Sequence, residues 1–70
     1  MSKITLILEM LSDGKWHGME ELQLRLGLNE REVQEIATFL NKYTFVKIDE
    51  EHRKVRINRN FRKLLAGAIT

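Results

Sequence analysis

The 70-residue chain contains neither cysteine nor proline and only four glycines. With no cysteine there is no disulfide framework and no thiolate metal site, so the usual staples of a small secreted fold are excluded and a reducing, cytoplasmic setting is expected. Neither a Pro-rich nor a Gly/Ser-rich stretch interrupts the sequence, which predicts one domain over residues 1–70 with no internal repeat. No apolar run approaches the ~20 residues of a membrane span, and the N-terminus lacks the charged-then-apolar pattern of a signal peptide, so no membrane partner is expected. Aromatic residues are few: three Phe, one Tyr and one Trp. Trp16 and Tyr43 have the flat rings that stack on nucleic-acid bases, but core packing is the stronger expectation for both, because a core this small rarely supplies more than ~3–5 kcal/mol net.

Chemistry-bearing constellations are missing as well. No nucleophile stands beside a base, no glycine loop suits a phosphate, and no paired carboxylates suggest an acid–base cleft, so an enzyme is not expected. His17 and His52, the two histidines, lie in different elements, so no zinc or other metal site and no cofactor is expected. The glutamates lack the spacing of a cation-binding loop and read as helix-start and surface charges.

What is present is charge, unevenly placed. The formal net charge is +2, yet residues 19–42 hold five acids and three bases, whereas residues 52–63 hold six bases (Arg53, Lys54, Arg56, Arg59, Arg62 and Lys63) and no acid. The C-terminal third is the electrostatic face, and an acid-free basic run is the pattern that neutralises phosphates.

Hydrophobic spacing orders the rest. Ile4, Ile7, Leu8 and Leu11 recur at helical period after Ser2, a candidate N-cap, and Asp13-Gly14 suits a left-handed stop, giving a first helix from about Lys3 to Ser12. Lys15 to Gly18 reads as a short strand or extended link. Met19, Leu22 and Leu26 mark a second helix over Met19 to Leu26, with Glu20 and Glu21 at its favoured end and Gly27 closing it; Leu24 points off this stripe and is expected to be exposed. Asn29 stands three residues before Glu32 as in a capping box, and Val33, Ile36, Ala37 and Leu40 give a third helix its buried face. Beyond Lys42 the period becomes two: Val46 and Ile48 alternate with Lys47 and Asp49, then Val55 and Ile57 with Lys54 and Arg56. This predicts a hairpin turning at Glu50 to Arg53. Asn58 caps a closing helix with Phe61, Leu64 and Leu65 inward, fraying after Gly67.

The order helix, short strand, helix, helix, strand, strand, helix makes a mainly α domain with a small β-hairpin wing. It resembles the winged helix-turn-helix superfamily, in the style of its small one-domain archaeal members. The resemblance spans Ile4 to Leu65 and is carried by Asp13-Gly14-Lys15-Trp16-His17, Glu21-Leu22, Leu26-Gly27-Leu28 and Tyr43-Thr44-Phe45-Val46. It implies binding of double-stranded DNA, as a small transcriptional regulator or chromatin-associated factor, with the third helix in the major groove. Asn29, Arg31, Gln34, Thr38 and Lys42 would then be its reading side chains. The wing and fourth helix would grip phosphate through His52, Arg53, Lys54, Arg56, Arg59 and Arg62. Two departures are visible: Glu30, Glu32 and Glu35 on the reading helix, and Gln23 where the pattern has a small apolar residue. The acidic helix motivates an alternative, a protein-interaction module docking a partner of a larger assembly through the third helix. Leu6, Met10, Leu24 and Ile69 are candidates for a homodimer seam or partner surface, the alternative for Leu6 and Met10 being cover by the closing helix.

Overall fold

A computed structural model describes the backbone of residues 2–69; the side chains of residues 65, 66, 68 and 69 lie outside the described residues, and with them the positions expected of Leu65 and Ile69. The elements are α1 (Lys3–Leu11), β1 (His17–Gly18), α2 (Met19–Leu26), α3 (Glu30–Lys42), β2 (Val46–Asp49), β3 (Lys54–Ile57) and α4 (Arg59–Ile69). They form a mixed fold of helices and one small three-stranded antiparallel sheet, in the strand order β1-β3-β2.

Local chemistry sets the boundaries. Ser2 Oγ accepts the Thr5 N–H and starts α1. Asn29 and Glu32 form a reciprocal capping box at α3: the Asn29 side chain accepts the Glu32 N–H at 2.8 Å and the Glu32 carboxylate accepts the Asn29 N–H at 3.2 Å. Such a cap contributes about 1 kcal/mol. Gly27, at φ +66°, ends α2 in the left-handed region, and the following Leu28 N–H reaches back to the Gln23 carbonyl at 3.0 Å. At the end of α3 Thr44 takes the same conformation at φ +60°, with Thr44 N–H to Asn41 O and Phe45 N–H to Leu40 O. Asn58 Oδ1 accepts the Asn60 N–H and starts α4, which runs on through Gly67 to Ile69 where fraying was expected.

Val55 is central to the sheet, facing His17 of β1 on one side and Ile48 of β2 on the other. Alternation turns Val46, Val55 and Ile57 inward, where they join Ile7, Leu11, Met19, Leu22, Leu28, Val33, Ala37 and Leu40 in a core that, among the described residues, holds no buried polar or charged side chain. Burying each large aliphatic side chain contributes ~1.5–3 kcal/mol. Ile4, Leu8, Met10, Leu26, Ile36, Phe45, Ile48 and Phe61 pack around it.

Three expectations about packing are corrected. Trp16 remains 43% exposed, because the register that places His17 opposite Val55 carries Trp16 toward Arg56, and the core is already filled by aliphatic side chains. Tyr43 remains 51% exposed, since as the C-cap of α3 it stands outside the helix's buried stripe, edge-on to Phe39 and stacked near Phe45. Leu64 is 70% exposed. The first turn of α4 meets the body, Phe61 stacking on Phe45 with ring centroids 4.3 Å apart, and Leu64 stands outside that contact. Leu24, at 85% exposure, stands off the α2 stripe as expected. Among the described residues no helix is long and apolar enough to cross a membrane.

Candidate nucleic-acid interface

The exposed face of α3 is where the sequence put the reading side chains, and its polar groups are largely paired with one another. Arg31 Nε donates to Glu35 at 3.0 Å and Gln34 Nε2 to Thr38 Oγ1 at 3.2 Å. Asn29 is occupied by the capping box, and Lys42 lies with its ammonium 5.9 Å from the Tyr43 ring centroid. Lys3 reaches across from α1 to Glu32, and that hydrogen bond, with the Asn29 N–H, holds the Glu32 carboxyl below its ordinary pKa. Exposed pairs of this kind contribute little to stability. The consequence of the ion pairs is electrostatic: Arg31 with Glu35 and Lys3 with Glu32 each cancel a charge that an approaching phosphate would otherwise meet.

The hairpin turn behaves in the same way. Arg53 Nη2 donates to Glu30 at 3.2 Å, tying the turn to the start of α3, and the Arg53 carbonyl accepts the Met19 N–H at 2.9 Å, with Arg53 itself at a left-handed φ of +51°. His52 Nδ1 lies 2.8 Å from Asp49, whose carboxyl is held below its usual pKa by that ring and by backbone N–H groups of the turn.

A different surface forms on the outward side of the sheet. Lys47 and Arg56 are register partners, as are Asp49 and Lys54, and alternation points all four away from the core. The Arg56 guanidinium stacks over Trp16, 5.4 Å from the ring centroid. At the end of β3 the chain turns into α4, so that Arg56, Arg59 and Arg62 come together with Asp13, Gly14 and Ile57 around a cleft of about 130 Å³. Arg62 is anchored there by an Nε bond to the Ser12 carbonyl at 2.9 Å. Among the described residues Lys47, Lys54 and Arg59 form no ion pair, and Arg56 Nε is buried without a hydrogen-bond partner. Apart from Lys63, which stands exposed further along α4, the basic run that is continuous in sequence is therefore two groups in space. His52 and Arg53 are bound back to acids, whereas Lys54, Arg56, Arg59 and Arg62 join Lys47 and Trp16 on the sheet face and the head of α4.

One constellation was not anticipated. His17 bridges Asp13 and Glu21, its Nε2 2.9 Å from Asp13 and its Nδ1 facing Glu21. Burial alone would lower the His17 pKa, but the hydrogen bonds and charges of the two carboxylates outweigh it and raise the pKa above the ordinary value. Both ring nitrogens can donate only when the ring is protonated. The same contact, with the Lys15 N–H, lowers the Asp13 pKa. The signal was in the sequence as the i, i+4, i+8 spacing of positions 13, 17 and 21.

Of the residues considered for a partner surface, Leu6 and Met10 are half-buried and border a cleft that Arg25 and Leu26 of α2 also line, while Leu24 borders another with Glu20, Gln23, Glu30 and Arg53. Leu6, Met10 and Leu24 are thus divided between two depressions. Comparison with protein-family models, with curated proteins and with solved structures finds no match for the chain.

Proposed function

We propose that this protein is a winged helix-turn-helix domain that binds double-stranded DNA through the phosphate backbone. The fold part of this reading is supported by the order α1-β1-α2-α3-β2-β3-α4, by a sheet in which β1 pairs with β3, and by the short turn joining α2 to α3. The observation that carries the functional part is the unpaired basic surface formed by Lys47, Lys54, Arg56, Arg59 and Arg62. Phosphates meeting these groups release condensed counterions, and affinity gained that way is indifferent to base sequence and sensitive to salt. Trp16 and Arg56 offer a flat stacked face to sugars and bases beside the backbone. In this reading α3 accompanies the contact and adds little to affinity, because its exposed face is neutralised by its own acids.

The test is fluorescence anisotropy of a labelled mixed-sequence duplex over a range of salt. With four to five phosphates engaged, log affinity should fall against log salt with a slope of about −4. A slope near zero would refute the proposal.

A second reading is favoured by one observation, the exposed Leu24 beside a cleft of about 290 Å³ ringed by Glu20, Gln23, Glu30 and Arg53. An apolar side chain amid mixed charge suits a protein partner at α2 and α3. Charge reversal at Glu30 and Glu35 separates the two readings: it strengthens duplex binding under the first and weakens partner capture under the second.

A further inference from the structure

We infer that the arginine cleft at the head of α4 is a site for a phosphomonoester dianion, taken on the reading above to be the 5′-terminal phosphate of a DNA strand. Three guanidinium groups from two successive elements converge there: Arg56 from β3, and Arg59 and Arg62 from the first turn of α4. Placing two arginines in a first turn that holds no acid sets positive charge against the positive end of the helix dipole. An anion in the cleft relieves that repulsion and offsets the charge of Arg56, which lines the cleft and forms no ion pair among the described residues.

The lone carboxylate lining the cleft, Asp13, is engaged elsewhere, by His17 and by the Lys15 N–H, and leaves the three arginines with a net positive charge. Positioning is built in. Arg62 is fixed by the Ser12 carbonyl, and its Nη1 lies 3.1 Å from where a Cβ at Gly14 would stand, so glycine at this position leaves the guanidinium its place. Arg56 is held by the Trp16 ring.

The chemistry selects among phosphates. An internal phosphodiester carries one negative charge and two unesterified oxygens. A terminal monoester carries nearly two charges and three such oxygens, one for each planar guanidinium fork. The site therefore favours a strand end over the interior of a duplex.

The experiment compares two otherwise identical short duplexes, 5′-phosphorylated and 5′-hydroxyl, against the wild-type protein and Arg59→Gln, which removes an unpaired exposed side chain and so spares the fold. In parallel, the emission of the single tryptophan, Trp16, is followed during titration with phenyl phosphate, with chloride at matched ionic strength as control. The expected result is a preference of about tenfold for the phosphorylated duplex, abolished in Arg59→Gln, with a saturable change in Trp16 emission that the variant loses. Equal binding of both duplexes would overturn this inference while leaving backbone binding intact. Failure of both duplexes to bind, with the phenyl phosphate response retained in the wild type and lost in the variant, would keep the phosphomonoester site and overturn the reading of the protein as a DNA binder. Absence of all three responses would overturn both.

Discussion

The exposed face of α3 and the outward face of the sheet both carry basic side chains, yet most of the charge left unpaired lies on the second. On α3 Arg31 is paired with Glu35 and the Arg53 of the hairpin turn is drawn in by Glu30, so that Lys42, beside the neutral Tyr43 ring, is the base on this helix that keeps its charge. On the sheet and the head of α4, Lys47, Lys54, Arg56, Arg59 and Arg62 share their surface with Asp13 and Asp49, each of which already accepts hydrogen bonds from a histidine. The lesson is that the charge left over after local pairing, rather than the count of lysines and arginines, decides where a phosphate is drawn.

Removing the unpaired bases of the sheet face is expected to cost the most binding. Lys47→Ala, Lys54→Ala and Arg59→Ala together should flatten the salt slope by about 3 while leaving thermal unfolding nearly unchanged, since none of the three is ion-paired. A slope as steep as the wild type's would place the phosphate contacts elsewhere. Unmasking the paired face of α3 acts in the opposite direction. Glu30→Gln with Glu35→Gln frees Arg53 and Arg31 and should steepen the slope by about 1–2 if α3 lies beside the backbone; an unchanged slope would put that face away from the DNA.

The smallest effect concerns the strut that fixes β1 between α1 and α2. Because the folded pKa of His17 is raised, its contribution to stability is fully present below its unfolded value of about 6.5 and is lost as pH rises through the folded value. Asp13 acts in the opposite sense, its contribution being lost as pH falls through its lowered pKa. The melting temperature should therefore drop on the order of a few degrees as pH rises past the His17 transition, and His17→Gln should remove that drop. A melting temperature independent of pH in the wild type would show that the triad does not couple to folding.

Much of the fold was legible in the sequence because local rules and burial agree along most of it. Ser2, Asn29 with Glu32, and Asn58 do as caps what their positions imply, and the switch from helical to alternating period at Val46 coincides with the start of β2. The misplacements of Trp16, Tyr43 and Leu64 share a cause. Each is large and apolar enough to suggest the core, but whether it reaches the core depends on strand register for Trp16, on where α3 ends for Tyr43 and on which turn of α4 meets the body for Leu64, and none of these is a property of the residue alone. The candidate site was legible as composition alone. That Arg53 turns toward Glu30 while Arg56 turns toward Trp16 follows from the left-handed residue closing the hairpin and from the pairing of β3 with β1, and both are tertiary facts.

Backbone amide shifts recorded as a mixed-sequence duplex is added locate the surface that meets the DNA. The largest perturbations are expected on Trp16, Lys47, Lys54, Arg56, Arg59 and Arg62, with Arg31, Gln34 and Thr38 little moved. Perturbations concentrated on Arg31, Gln34 and Thr38, with the sheet face silent, would contradict that expectation and return the reading role to α3.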